Sequence, residues 1–221
     1  RGGDSISDIQ SITERYSFPE SIYNVFKRDF GEQRAIDIMK SLNEKPCMTL
    51  RANTLKVTAD ELLRLLEHDG VTAEPGDAAD SVFVSGMDVG GSRLYRDGFF
   101  TVQGTAAMLS CAALGVKPGM SVIDMCAAPG GKTTYLCELM KNSGGVRAFD
   151  IYDHKIELIR QNAKRLGITI IDACVSDAAV IKEELFESAD RVMADVPCSG
   201  LGIIAKKPDI KWAFEESSLP G

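Results

Sequence analysis

The stretch SVIDMCAAPGGKTT, residues 121–134, decides how the chain reads. SVIDMCA (121–127) is a short apolar run of the kind that forms a strand buried on both faces, and KTTYLCELMKN (132–142) follows as a helix. The residues joining them are small. Alanine and glycine let a ligand come close to the backbone, and the helix start offers unpaired N–H groups. A Gly-rich turn that only permits tight packing would look the same, so the turn gains weight from its surroundings.

Downstream, the same unit repeats. Gly144 and Gly145 stop the helix, and VRAFDI (146–151) reads as a strand. Asp153 is placed to cap the helix HKIELIRQNAKRLG, whose Ile156, Ile159, Ala163 and Leu166 share one face and which Gly167 closes. ITIIDACVS (168–176) is a third strand, AAVIKEELF (178–186) a short helix and RVMADV (191–196) a fourth strand. Upstream, a helix over roughly 104–114 leads into the Lys117-Pro118-Gly119 turn. This alternation predicts an α/β domain with a parallel, doubly wound sheet, whose ligands sit at the carboxyl ends of the strands. Asp124, Asp150, Asp177 and Asp195 all fall at or just beyond those ends.

Before residue 104 the rhythm differs. Pro19 to Leu42 reads as two short helices, with Ile22, Val25 and Phe26 on one face and Ala35, Ile36, Ile38 and Met39 on the next. MTLRAN (48–53) alternates like a strand. Thr58 and Glu61 have capping-box spacing ahead of a helix carrying Leu62, Leu63, Leu65 and Leu66 and ending at Gly70. SVFVSG (81–86) and GFFTVQ (98–103) are further strands. The expected organisation is an N-terminal helical segment (1–45), a small α+β domain (46–103) and the parallel-sheet domain (104–221).

The 221 residues are 44% hydrophobic and 26% charged, an ordinary globular profile, and no apolar run approaches the roughly 18 residues of a membrane span. The polar opening RGGDSISDIQ is unlike a secretory signal. Six cysteines, at 47, 111, 126, 137, 174 and 198, lack the C-x-x-C spacing of a zinc ribbon and suit a reducing cytoplasm, with no metal expected. Cys174 is read as a buried strand cysteine. The net charge of −7 argues mildly against nucleic acid, although a local basic patch can outweigh it.

Three ligands compete for the 124–134 turn. A phosphate-binding P-loop matches at Gly131, Lys132 and Thr133, with RVMAD imitating the second nucleotide motif, but Cys126 stands where its first glycine is required. The dinucleotide fingerprint lacks its third glycine. An adenosine-containing methyl donor predicts an acid at the end of the second strand to hold both ribose hydroxyls, and Asp150 lies about 20 residues past the turn, as in related sheets. Asp177 is placed to approach the adenine edge.

The fourth strand runs into Asp195-Val-Pro-Cys198-Ser-Gly-Leu-Gly202. A loop cysteine at the ligand edge of a sheet is a candidate nucleophile where N–H groups or cations lower its pKa; alternatively it is a small residue packed beneath the loop. C5 of a pyrimidine is a poor nucleophile. A thiolate adding to C6 makes C5 able to attack an activated methyl group, after which a base removes the C5 proton and the thiol leaves. Cys198, Asp195 and the 124–134 turn are candidates for thiol, acid and donor site, with the base unstacked to reach them. Lys206, Lys207 and Lys211 beside Trp212 suggest a phosphate-and-stacking patch, with Arg51, Asn53, Arg93 and Arg96 as weaker hints in the small domain.

DMCAAPGGKT, FDIYDHK, ADVPCSGLG and KKPDIKW closely resemble the Sun (Fmu) family of S-adenosylmethionine-dependent RNA cytosine-5 methyltransferases, above all its bacterial members acting on small-subunit ribosomal RNA. RYSFPESIYNVF, LRANTLK and FFTVQGTAA resemble that family's N-terminal helices, small RNA-recognition-like domain and linker. The resemblance covers nearly all of 14–212. It implies a Rossmann-like methyltransferase sheet in which Cys126, Ala127, Ala128, Pro129, Gly130, Gly131 and Lys132 line the methionine and adenosine part of S-adenosyl-L-methionine. Asp150 would hold the ribose, Asp177 the adenine end, and Asp195 would stand between donor and target base. In the family the cysteine matching Cys198 is assigned to product release, and the covalent nucleophile is a second cysteine in a Thr-Cys motif on the next strand. No Thr-Cys pair occurs in this chain. A truncated catalytic domain lacking its last strands is therefore expected, without the antitermination-factor-like domain that often precedes it, and acting as a monomer. A transfer RNA substrate, or an inert RNA- or donor-binding module, are the alternatives.

Overall fold

The computed structural model describes residues 12–180 and 182–215, and the chain divides into two compact units. One unit is 47–196; the other joins 1–46 to 197–221. The small domain and the parallel sheet thus fall within one unit, each with its own apolar cluster, and the last residues group with the N-terminal helices.

The second unit contains helices α1 (Glu20–Phe30) and α2 (Glu32–Asn43). Their inner faces place Ile22, Tyr23, Phe26, Ala35 and Met39 with Phe18 in an apolar cluster that also takes in the fully buried Ile204. Leu201, Ile210 and Phe214 pack against it. These come from a 3₁₀ turn, Leu201–Ile203, and from the residues around a short helical turn, Ile210–Ala213.

In the main unit, β1 (Met48–Ala52), β2 (Thr72–Pro75), β3 (Ser81–Ser85) and β4 (Phe100–Val102) form an antiparallel sheet in the order β2-β3-β1-β4. Strand β2 escapes a reading by pattern because TAEP is polar and ends in proline, which an edge strand tolerates. Helix α3 (Ala59–His68) covers one face with Leu62 and Leu66, and its capping box is present: Thr58 Oγ1 accepts from the Glu61 amide while the Glu61 carboxylate accepts from the Thr58 amide.

After α4 (Arg93–Arg96) and α5 (Thr105–Ala113), strands β5 (Ser121–Asp124), β6 (Gly145–Asp150), β7 (Ile171–Val175) and β8 (Arg191–Met193) make a fully parallel sheet in the order β7-β6-β5-β8. Helix α6 (Gly131–Leu139) connects β5 to β6 and α7 (Asp153–Leu166) connects β6 to β7. The order reverses between β5 and β8, so the crevice above β5 is the place where such sheets bind ligands. Met108, Val122, Leu136, Met140, Val146 and Leu166 lie in the core between the sheet and its helices.

Four local readings change. Helix α6 ends at Leu139, short of the glycines, because Lys141 and Asn142 adopt positive φ. Asp153 is not the cap of α7 but its first residue, where its charge still favours the helix N-terminus; Gly167 closes the helix in the left-handed region as expected. In place of a helix over 178–186 there is a 3₁₀ turn at Glu183–Leu185, Ile181 lying outside the described residues. Cys174 is exposed, with its Sγ 3.5 Å from Asp172 Oδ1.

Candidate active site

The loop from Asp124 to Gly131 is held by its own backbone. The Met125 amide donates to the Met193 carbonyl of β8 at 2.9 Å, and the Ala127 amide to the Phe149 carbonyl of β6 at 2.8 Å, so the loop is pinned to both strands flanking β5. The Gly130 amide donates to Ala127 O at 2.7 Å, and Asn162 Nδ2 donates to Pro129 O at 3.0 Å. Gly130 sits at φ 98°, where an L side chain is strained, and a Cβ there would lie 3.3 Å from the Ile159 Cα of α7. That glycine allows the loop to turn into α6 directly against α7.

Carboxylates ring the loop. Asp124 is buried at the end of β5, where Thr133 Oγ1 donates to its Oδ2 at 2.8 Å; its Oδ1 has no hydrogen-bond partner among the described residues. Burial holds its pKa above the usual carboxylate value, opposed by the Thr133 hydrogen bond. Asp150 ends β6, nearly buried, with Oδ1 accepting from the Tyr152 amide at 3.2 Å and Lys155 Nζ 3.9 Å away. Asp195, exposed beyond β8, accepts from Lys132 Nζ at 2.5 Å, which places the lysine of the loop across the crevice on the acid of the fourth strand. Asp177, exposed beyond β7, closes a local turn through the Ala179 amide at 2.9 Å. Next to it Ser176 is buried with its Oγ unpartnered among the described residues.

Cys126, half-buried in the loop, is held above the ordinary thiol pKa by burial, then by Asp124, Asp150 and Asp195. That environment disfavours a thiolate at Cys126. Cys198 is exposed and belongs to the unit formed by the chain ends.

Three of the five expected RNA contacts need correction. Arg51 is fully buried, its guanidinium 2.7 Å from Glu138 Oε1. Asn53 is also fully buried, its Nδ2 donating to Gly98 O at 2.8 Å and Leu166 O at 2.9 Å. Both are structural ties in this fold, not surface groups offered to phosphate. Lys211 is buried too, donating to Asn43 Oδ1 at 2.6 Å with its Nζ 3.9 Å above the Phe18 ring. Lys206, Lys207 and Trp212 are exposed. Arg93 and Arg96 are exposed but engaged, Arg93 with Asp97 at 3.2 Å and Arg96 with Gly91 O at 2.9 Å.

Sequence spacing alone missed the Lys132–Asp195 pair, which joins residues 63 apart, and the buried Ser176 hydroxyl, which follows the strand ITIIDACV with no motif of its own.

A four-stranded parallel sheet with a small-residue loop at its switch point and acids beyond each strand is a doubly wound, Rossmann-like ligand-binding fold. Residues 111–220 match the model for the 16S rRNA methyltransferase RsmB/F family, and residues 18–87 match the model for the ferredoxin-like domain of the same family. The chain belongs to this family, the Sun (Fmu) family of the sequence resemblance. A probable ribosomal RNA small subunit methyltransferase B of Bacillus subtilis (strain 168) is 37% identical over 212 residues, covering 95% of this chain and 47% of that protein. A 28S rRNA (cytosine-C(5))-methyltransferase of Mus musculus is 34% identical, covering 95% of this chain and 27% of that one. Among solved structures, a methyltransferase homolog protein from Pyrococcus horikoshii is 29% identical with a TM-score of 0.70, covering 79% of this chain and 58% of its own. The chain thus spans about half the length, or less, of these curated relatives.

Proposed function

We propose that the chain is the donor-binding part of an S-adenosylmethionine-dependent RNA cytosine-5 methyltransferase, with small-subunit ribosomal RNA as the substrate. The observation that carries this reading is the site at the switch point: an open small-residue loop pinned between β6 and β8, with Asp124, Asp150 and Asp195 around it. The residues present suit the donor. Of the four buried side-chain atoms that lack partners among the described residues, two, Asp124 Oδ1 and Ser176 Oγ, lie at this edge of the sheet, a state usually relieved by a ligand or water; the others, Arg51 Nε and Glu138 Oε2, lie beneath α6. The acidic surroundings match a cation, and S-adenosylmethionine carries both a sulfonium and an ammonium group. Bound there, it supplies an electrophilic methyl group.

The chain's own residues divide the remaining work. Ala127 to Gly131 leave room for the donor's backbone-facing side, and Asp150 accepts from the ribose hydroxyls. Asp177 and its neighbour Ser176 stand at the adenine end. Asp195 accepts from the amino edge of the target cytosine, with Lys132 fixing its carboxylate. Cys198 takes the role of the family's Pro-Cys cysteine, in product release. Exposed Lys206 and Lys207 contact phosphate and Trp212 offers a stacking face. The protein works in the cytoplasm as a monomer and needs no metal.

Calorimetric titration with S-adenosylmethionine and, separately, with ATP–magnesium tests the donor assignment. Saturable donor binding without an ATP response is expected; the reverse would restore the P-loop reading. Mixing the chain with S-adenosylmethionine and ribosomal RNA containing 5-fluorocytosine then tests the chemistry, because fluorine blocks release of an attached thiol. A complex on a denaturing gel that vanishes in Cys198→Ala would make Cys198 the nucleophile and overturn its release role.

A further inference from the structure

The small sheet grips the two helices that follow the donor-site strands, through side chains that the proposed chemistry leaves unused. Arg51 of β1 reaches the first turn of α6. Its Nη1 donates to Gly131 O at 2.6 Å and to Gln103 Oε1; its Nη2 donates to Thr134 Oγ1 at 3.0 Å and to Glu138 Oε1 at 2.7 Å. The guanidinium carbon lies 4.9 Å from the centroid of the Tyr135 ring, whose hydroxyl in turn donates to Asp80 Oδ2 at 2.8 Å. At the far end of α7, Asn53 Nδ2 donates to Leu166 O, and Arg165 Nη1 donates back to Tyr95 O and Phe100 O of the small domain at 2.8 and 2.9 Å.

Gly131 is both the end of the candidate donor loop and the first residue of α6. A planar fork that engages the carbonyl of that residue, the hydroxyl three residues on and the carboxylate one further turn along fixes the helix in rotation and in height. Burying an arginine with its carboxyl partner is an inefficient way to gain stability, since apolar residues of similar volume do as well or better. What the pair supplies is a unique position. We propose that Arg51 is a positioning residue: from the small sheet it sets the first turn of α6, and with it the loop Cys126–Lys132, for the methyl donor. This rests on the donor reading given above. The small domain then acts on the donor site as well as carrying its own surface.

The test uses the full chain with Arg51→Met, Arg51→Lys and a control, Leu62→Ala, which removes a buried side chain from the small-sheet core away from α6. Three quantities are measured: S-adenosylmethionine affinity by calorimetry, amide hydrogen exchange across residues 126–134, and the thermal midpoint. Arg51→Met is expected to weaken donor binding at least tenfold and to speed exchange in that loop. Arg51→Lys, which keeps the charge but not the fork, should fall between it and the parent. Leu62→Ala should lower the midpoint while leaving donor affinity and loop exchange unchanged. Parent-like affinity and exchange in both Arg51 variants, or equal losses in Leu62→Ala, would overturn the proposal. If Arg51→Met does not fold, Arg51→Lys against Leu62→Ala decides. A parent that binds no donor would refute the functional reading, whereas the exchange comparison would still show whether Arg51 sets the loop.

Discussion

Asp150 ends its strand with one carboxylate oxygen taken by the Tyr152 amide and Lys155 at the edge of ion-pair distance, which leaves acceptor capacity for a pair of hydroxyls. Asp150→Ala should therefore weaken S-adenosylmethionine binding by about 1–3 kcal/mol, the range for charge-assisted hydrogen bonds. An unchanged calorimetric affinity would remove Asp150 from the ribose. Lys211, by contrast, is spent on Asn43 and Phe18. Replacing Lys206 and Lys207 together by Ala should lower RNA affinity and flatten its dependence on salt by about two phosphate contacts. Lys211→Ala should lower the thermal midpoint instead, leaving the salt slope alone. Equal slopes for parent and double variant would clear the two exposed lysines of phosphate contact. Arg51 was misread for a physical reason: an arginine in a strand of period two points inward or outward, and the partner that makes the inward choice tolerable, Glu138, lies 87 residues away.

At the level of elements, the parallel sheet was legible because β5, β6 and β7 each follow a glycine turn, at Gly119, Gly144 and Gly167, and α7 keeps its helical period, so the strand–helix alternation is found in the expected order. Strand β2 was not, since an edge strand with one solvated face needs no apolar run. Nor was the helix end at Leu139, which two left-handed non-glycine residues decide. Helix α6 also carries a pH dependence. Burial pushes the Glu138 carboxyl up to about 7, opposed by Arg51, the chief group lowering it. The folded state then holds a proton that the unfolded chain releases near pH 4.5, so this residue's contribution to stability falls as pH rises from about 4.5 to 7. Glu138→Gln cannot titrate. Thermal midpoints at pH 5, 6 and 7 should decline for the parent relative to the variant, and parallel pH profiles would show that Glu138 keeps one protonation state in both folded and unfolded chains.

Over the whole molecule, the net charge of −7 means that the proposed attraction to RNA rests on a local surface, not on the chain as a body. The candidate surface around Lys206, Lys207 and Trp212 has no long helix or sheet of its own. Its backbone runs through a 3₁₀ turn and a single helical turn, both too short to be stable alone. What holds it is the apolar cluster of the chain-end unit, in which Ile204 is fully buried among Phe18, Ile22, Tyr23, Phe26 and Met39. No sequence pattern announces that arrangement, because Ile204 sits in a loop read for its lysines and its partners lie some 165 to 186 residues earlier. Ile204→Ala should cost about 2–5 kcal/mol of local packing, the usual range for an isoleucine cut back in a core. If the cluster is what shapes the surface, the variant should become sensitive to limited proteolysis between 197 and 215 and should lose RNA affinity. S-adenosylmethionine affinity, which the proposal assigns to the 47–196 unit, should stay at the parental value. Loss of RNA binding without any change in proteolysis would mean that Ile204 touches RNA itself. A parallel loss of donor binding would mean that the two units fold and function as one.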